Sequence, residues 1–260
     1  MDSQSALGIH LNRCVQWELA RVRKAVQTTG MFWFVDIPRT SSTSLRVGLG
    51  ESVGYPHSKE NTHGKYQYMR GGSVESSIIG SHVPAFLMRH LLGAEIWDQC
   101  FKFSVLREPR QWIYSLFLYV SRYDNLGYRA KTFEDFLREF LVFMKLPLVE
   151  RVFPGRMIQS EYLVRDGLLD IDILVDFNRR RSILNHLNSL LSVNISGDLV
   201  LIQGRSRADQ GAADSAVENA WNEIRDQRLL QDIDQILEAD YDFYKRCACS
   251  ADGLYASKEC

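Results

Sequence analysis

The sequence predicts an α/β fold: a central, mainly parallel sheet flanked by helices, three layers in all. Two patterns carry that expectation. Strand-like and helix-like segments alternate through the first half of the chain. The strand-like segments are short, nearly continuous apolar runs, as strands buried on both faces require. The 260 residues, 45% hydrophobic and 24% charged, suffice for one sizeable core. No internal repeat, low-complexity tract or Pro-, Gly- or Ser-rich linker divides them, so a single domain over 1–260 is expected.

Leu11, Val15, Leu19, Val22 and Val26 recur at helical spacing and predict an N-terminal helix that Gly30 stops. Residues 31–37, "MFWFVDI", predict the first buried strand, and a helix is expected to start around Leu45–Leu49. The polar stretch 50–72, with scattered Gly and His, reads as a long surface loop of the kind used for binding or as a lid. "VESSIIGSHVPAF" predicts a second strand ending near Gly80 and then a helix through Leu92; "CFKFSVL", 100–106, is a third strand. Pro109 suits the first turn of the next helix, whose apolar face carries Trp112, Leu116, Tyr119 and Val120. Phe133, Phe136, Leu137, Phe140, Leu141 and Met144 mark another amphipathic helix. Residues 179–191 and 214–246 read as helical, the latter in two pieces, and "DLVLIQG", 198–204, as a strand or extended loop.

The net charge of −1 gives no global field toward nucleic acid or an anionic membrane, so neither partner is expected and any anion site must be local. Cys14, Cys100, Cys247, Cys249 and Cys260 are odd in number and spread without a pairing framework. The close pair Cys247–Cys249 has no second pair to complete a zinc site, which predicts reduced thiols and no metal. "MDSQSALGIHLNRC" lacks a basic segment followed by an apolar one, and every apolar segment is shorter than a membrane span. A cytoplasmic protein with no membrane span is expected.

The functional signal begins in "FVDIPRTSSTSLR", 34–46, where an apolar run empties into a loop of one arginine and several hydroxyls. In an open parallel sheet, ligands bind beyond the carboxyl ends of strands. A helix beginning near Thr43 aims free backbone N–H groups and its positive dipole end at that loop. Thr40, Ser41, Ser42, Thr43 and Ser44 add hydroxyl donors, and Arg39 adds a forked cation. Together they suit a phosphate or sulfate; the plainer reading is a Ser/Thr-rich helix cap. The nucleoside-triphosphate loop pattern, with its glycine spacing and lysine, is absent.

Ile37-Pro38-Arg39-Thr40-Ser41-Ser42-Thr43-Ser44-Leu45 resembles the phosphosulfate-binding loop of sulfotransferases, above all the carbohydrate sulfotransferase type, with Arg39 in place of a lysine and Ser41-Ser42 in place of two glycines. A second stretch, "FSVLREPRQWIYSLFLYV", 103–120, is similar to that family's strand–arginine–proline-led helix–serine motif, through Arg107 and Ser115. Arg110 lies one position before the pattern's second arginine and is left unassigned. "IDQILEADYDFYKR", 233–246, resembles the family's closing helix, and "QGRSRAD", 203–209, sits where the family returns a loop toward the nucleotide.

The resemblance spans about residues 31–246. It implies a P-loop-NTPase-like sulfotransferase fold and the donor 3′-phosphoadenosine 5′-phosphosulfate, with adenosine 3′,5′-bisphosphate as product. It further implies Arg39 and residues 40–44 at the 5′-phosphate, Arg107 and Ser115 at the 3′-phosphate, and Arg205 and Arg207 as further 3′-phosphate candidates. No metal is implied. The catalytic pair would be Arg39 and His82, the latter as base for an acceptor hydroxyl or amine; the family often places a Gly-His here, against Gly80-Ser81-His82 in this chain. His57, His63 and Glu51 compete for that role. The acceptor expected is a soluble small molecule, such as a specialised metabolite, or a carbohydrate- or lipid-like molecule. Tyr66, Tyr68, Tyr119 and Tyr123 are candidates to line its pocket. The alternatives are a degenerate relative that binds nucleotide or a partner without chemistry and, more remotely, a nucleotide kinase-like phosphotransferase.

Overall fold

The computed structural model describes residues 20, 23, 32–40, 45, 82–122, 128–152, 156–179, 181–191, 207–250 and 253–256. Its central sheet contains β1 (Phe32–Val35), β2 (Phe101–Leu106), β5 (Ile173–Asp176) and β6 (Leu254–Ala256), in that spatial order. β1, β2 and β5 run parallel, and β6 closes one edge antiparallel to β5. β3 (Val164–Arg165) and β4 (Leu168–Leu169) form a separate antiparallel hairpin. The fold is therefore α/β, with a mixed sheet dominated by parallel pairing.

Side-chain alternation along the strands explains why helices are needed on both sides of the sheet. Trp33, Val35, Leu106 and Leu174 enter one cluster of buried residues, Phe32, Phe34, Phe103, Val105, Ile173 and Val175 another. The first cluster is covered by α1 (Ala85–Leu92), α2 (Ala94–Gln99) and the C-terminal helix α9 (Glu238–Cys249), through Met88, Trp97 and Cys247. The second is covered by α6 (Arg181–Leu191), through Ile183, Leu184 and Leu187, and by Leu45. Helices on both faces are compatible with a three-layer arrangement. Within the second cluster, Phe34 of β1 stacks on Phe103 of β2 with ring centroids 5.1 Å apart, a cross-strand aromatic pair worth about 0.5–1 kcal/mol beyond its buried area.

A third cluster joins α3 (Pro109–Val120), α4 (Phe133–Met144), α7 (Arg207–Asn222) and α8 (Gln227–Ile236). α3 begins as its sequence predicts, with Pro109 in the first turn and the Glu108 carboxylate accepting from the Gln111 N–H. α4 begins at Thr132, whose hydroxyl accepts from the Asp135 N–H. A short helix, α5 (Leu148–Val152), follows.

The structure departs from the expected element list in several places, adding among others β3, β4, β6 and α5. β5 carries no expectation from the sequence, because it is only Ile173–Asp176, preceded by Asp170 and Asp172 and ending on Asp176, and pairing on both sides is what makes it a strand. The helical region expected at 214–246 starts at Arg207 and comprises three helices rather than two pieces. Asp226 causes the first break by accepting from the N–H groups of Arg228 and Leu229, a new N-cap. Short α2 was also unforeseen. Of the expected N-terminal helix, Ala20 and Arg23 are described, and both are helical, as is Leu45. The predicted strand at 74–80, the loop 50–72 and the segment 198–204 lie outside the described residues.

Candidate functional site

Because β1 and β2 are parallel neighbours with Val35 beside Ser104, the chain leaves both strands at the same end of the sheet, its carboxyl edge. Two hydrogen bonds hold that edge together. Ser104 Oγ donates to the Val35 carbonyl at 2.7 Å, and Trp112 Nε1, from α3, donates to the Pro38 carbonyl at 2.8 Å. The indole thereby ties the helix after β2 to the loop after β1. Ser115 lies almost one turn beyond Trp112, and Tyr119 one turn beyond Ser115, so the two share a helix face.

Arg39 meets that face. Its Nε donates to Ser115 Oγ at 3.2 Å, and its guanidinium lies 5.1 Å from the centroid of the Tyr119 ring. The two motifs singled out in the sequence thus touch, through Arg39 and Ser115. A serine hydroxyl accepts and donates, so Oγ can take the Arg39 hydrogen and still offer its own. Thr40 is fully buried and spends its hydroxyl hydrogen on the Ile37 carbonyl, at 2.9 Å, making it a brace for the turn. Tyr119, expected in an acceptor pocket, serves here as the surface against which Arg39 rests.

His82 reaches the end of β1 from the other direction. Its Nδ1 is 3.1 Å from the Asp36 carbonyl oxygen and 3.3 Å from Asp36 Oδ1. A carbonyl only accepts, so this contact is a hydrogen bond when Nδ1 carries the hydrogen, the tautomer that leaves Nε2 its lone pair. The side chain is 23% exposed, whereas that of Asp36 is 3% exposed. Arg39 and His82 also share a backbone feature: φ is 67° at one and 70° at the other. Among the described residues the remaining non-glycine with positive φ is Asp166, in the β3–β4 turn. Left-handed conformations cost a residue with a Cβ about 1 kcal/mol or more and collect at functional sites.

Arg107 follows β2 and is fixed by its backbone. Its N–H donates to Gln159 Oε1 at 3.0 Å, and its carbonyl accepts from Gln159 Nε2 at 2.9 Å. Gln159 and Ser160 are held in turn by Asp240 of α9, which accepts from their N–H groups at 3.0 and 2.6 Å. Asp240 is completely buried, and desolvation pushes its carboxyl up to about 6 although those N–H groups pull it down. The Arg107 guanidinium lies over the Phe177 ring, 4.8 Å from its centroid, just past the end of β5. Arg107 therefore faces the β5 side of the edge and Arg39 the α3 side.

Arg110, unassigned in the sequence, is committed elsewhere: it bonds Asp234 at 2.7 Å and Tyr241 at 3.3 Å and lies over Trp221. It lines a cleft of 860 Å³ with Glu108, Asp234, Glu238, Tyr241 and Lys245, where none of the nominated site residues stands. Ser41, Ser42, Thr43, Ser44 and Arg205 lie outside the described residues, as do Glu51, His57, His63, Tyr66, Tyr68 and Tyr123. Arg207 is the first residue of α7, not part of a returning loop at that position. Among the described residues no group of three or more His, Cys, Asp or Glu could hold a metal, and no helix is long and apolar enough to cross a membrane.

Sequence reasoning missed Asp36, Trp112 in its tethering role, Gln159 and Phe177. Asp36 did leave a signal, as a lone charge inside the apolar run "MFWFVDI". Gln159 and Phe177 left none, because their roles depend on contacts across 52 positions of chain and on an unforeseen strand. Compared with known proteins, the chain matches no family model, no curated protein and no solved structure.

Proposed function

We propose that the protein is a sulfotransferase, moving a sulfuryl group from 3′-phosphoadenosine 5′-phosphosulfate to a hydroxyl or amine of a small-molecule or carbohydrate-like acceptor. The observation that carries the reading is the Arg39–Ser115 hydrogen bond at one edge of parallel β1 and β2. It joins residues from two separate motifs, each following a strand, where open α/β sheets bind ligands. The finer architecture proposed with it is the P-loop-NTPase-like sulfotransferase fold.

The donor supplies an activated sulfuryl group; the chain supplies position and charge. Arg39, held in place by Ser115 and Tyr119, faces the end of the nucleotide where negative charge grows as the sulfonate departs. Ser115 and Arg107 grip the other phosphoryl end. His82, with Nδ1 occupied by Asp36, presents Nε2 as the acceptor's base. In-line sulfuryl transfer resembles phosphoryl transfer in spreading charge over equatorial oxygens, so such positioning provides most of the catalysis.

Titration calorimetry with adenosine 3′,5′-bisphosphate tests the reading. Binding is expected without metal, in preference to ATP with Mg²⁺, and about 10-fold or more weaker in Arg107→Ala. No binding, or equal affinity in the two proteins, refutes the assignment. His82→Ala should bind this product normally while turning over roughly 10²-fold slower. Product binding with no sulfate transfer in the wild type would leave a nucleotide-binding relative without chemistry.

A further inference from the structure

We infer that Asp36 is a positioning residue that makes His82 competent as a base, an inference that rests on the sulfotransferase reading for His82. Asp36 lies between Val35 and Ile37, both fully buried, at a place where a charge has no packing use. A buried carboxylate is costly to keep unless nearby groups compensate it. Its oxygen stands 3.3 Å from His82 Nδ1, while its own backbone carbonyl stands 3.1 Å from the same nitrogen. One residue thus places a hydrogen-bond acceptor, its carbonyl, and a carboxylate oxygen at ion-pair distance beside one ring nitrogen. The carbonyl suffices to select the Nδ1–H tautomer, so the carboxylate's separate contribution is charge.

The Tyr162 phenol, from the turn after Gln159, is pushed well above its ordinary ionisation, first by burial and then by Asp36. Tyr162 therefore stays neutral and adds no second negative charge beside the carboxylate. When the acceptor oxygen bonds to sulfur, the bond from sulfur to the departing phosphate oxygen breaks and the acceptor proton moves to His82 Nε2. The resulting imidazolium is neutralised by Asp36, which stays ionised, and the proton then leaves to solvent. Asp36 touches no reacting atom and acts through His82 alone.

The test uses the full chain and the variants Asp36→Asn, His82→Ala and the double variant. Asp36→Asn should lower kcat about 10-fold or more with the donor KM unchanged, and should cost nothing further in the His82→Ala background. An equal additional loss in that background, or unchanged kcat in the single variant, overturns the inference. Nitrogen-15 spectra of the His82 ring, taken without substrate, read the contact directly even if a variant folds poorly. The Nε2–H tautomer in the wild type overturns the inference whatever the activity; the Nδ1–H tautomer supports the contact with the Asp36 carbonyl, and the Asp36→Asn kinetics then decide the carboxylate's part. A wild-type chain with the Nδ1–H tautomer but no sulfuryl transfer supports the Asp36–His82 pairing and overturns the sulfotransferase reading alone.

Discussion

Replacing Asp240 with asparagine should remove a pH-dependent part of the protein's stability while keeping the side chain's shape, although the amide's single accepting oxygen keeps only one of the two N–H bonds. Asp240 accepts from the Gln159 and Ser160 N–H groups, and Gln159 clamps the backbone of Arg107. Burial raises the carboxyl from 3.8 to about 6 in the folded chain. That difference corresponds to roughly 3 kcal/mol between protonation states. The folded chain holds the proton more tightly than the unfolded chain does. The contribution is therefore fully present below the unfolded value of 3.8 and is lost as pH rises through about 6. Urea unfolding of both proteins isolates it, because the other carboxylates cancel in the difference. Relative to Asp240→Asn, the wild type should lose roughly 2 kcal/mol between about pH 4 and pH 7. Asp240→Ala, which strands two buried N–H groups, should be destabilised by roughly 2–5 kcal/mol and should also weaken nucleotide binding through Arg107. Parallel stability curves for the wild type and Asp240→Asn across this range would refute the reasoning.

Two further predictions rest on other parts of the fold. Gly253 has a φ of +75°, and a Cβ there would lie 2.6 Å from Arg179 Cδ and 2.7 Å from Arg179 Cβ. Gly253→Ala should cost roughly 2–3 kcal/mol by chemical denaturation, and a loss near zero would mean that the turn before β6 adopts another conformation. Burial pushes the Cys100 thiol up to about 11 and that of Cys247 up to about 12, whereas Cys249 is exposed. Brief alkylation at neutral pH with mass mapping should label Cys249 and spare Cys100 and Cys247, and early labelling of Cys247 would contradict its burial on the core-facing side of α9.

The sequence by itself determined β1, β2 and α3, because each is written in local terms: apolar runs for the strands, and a proline-led start for the helix. It also determined which residues at the candidate site to watch, since Arg39, His82, Arg107 and Ser115 stand in short motifs beside strand or helix ends. Tertiary structure alone decided how those residues are held. β5 exists because two neighbours hydrogen-bond to it, and only its presence puts Phe177 under Arg107. Arg39 rests on Ser115 across 76 positions of chain, and Asp36 reaches His82 across 46. Contacts of that span depend on strand order and register, which emerge when the whole core packs and leave no periodicity in any one segment.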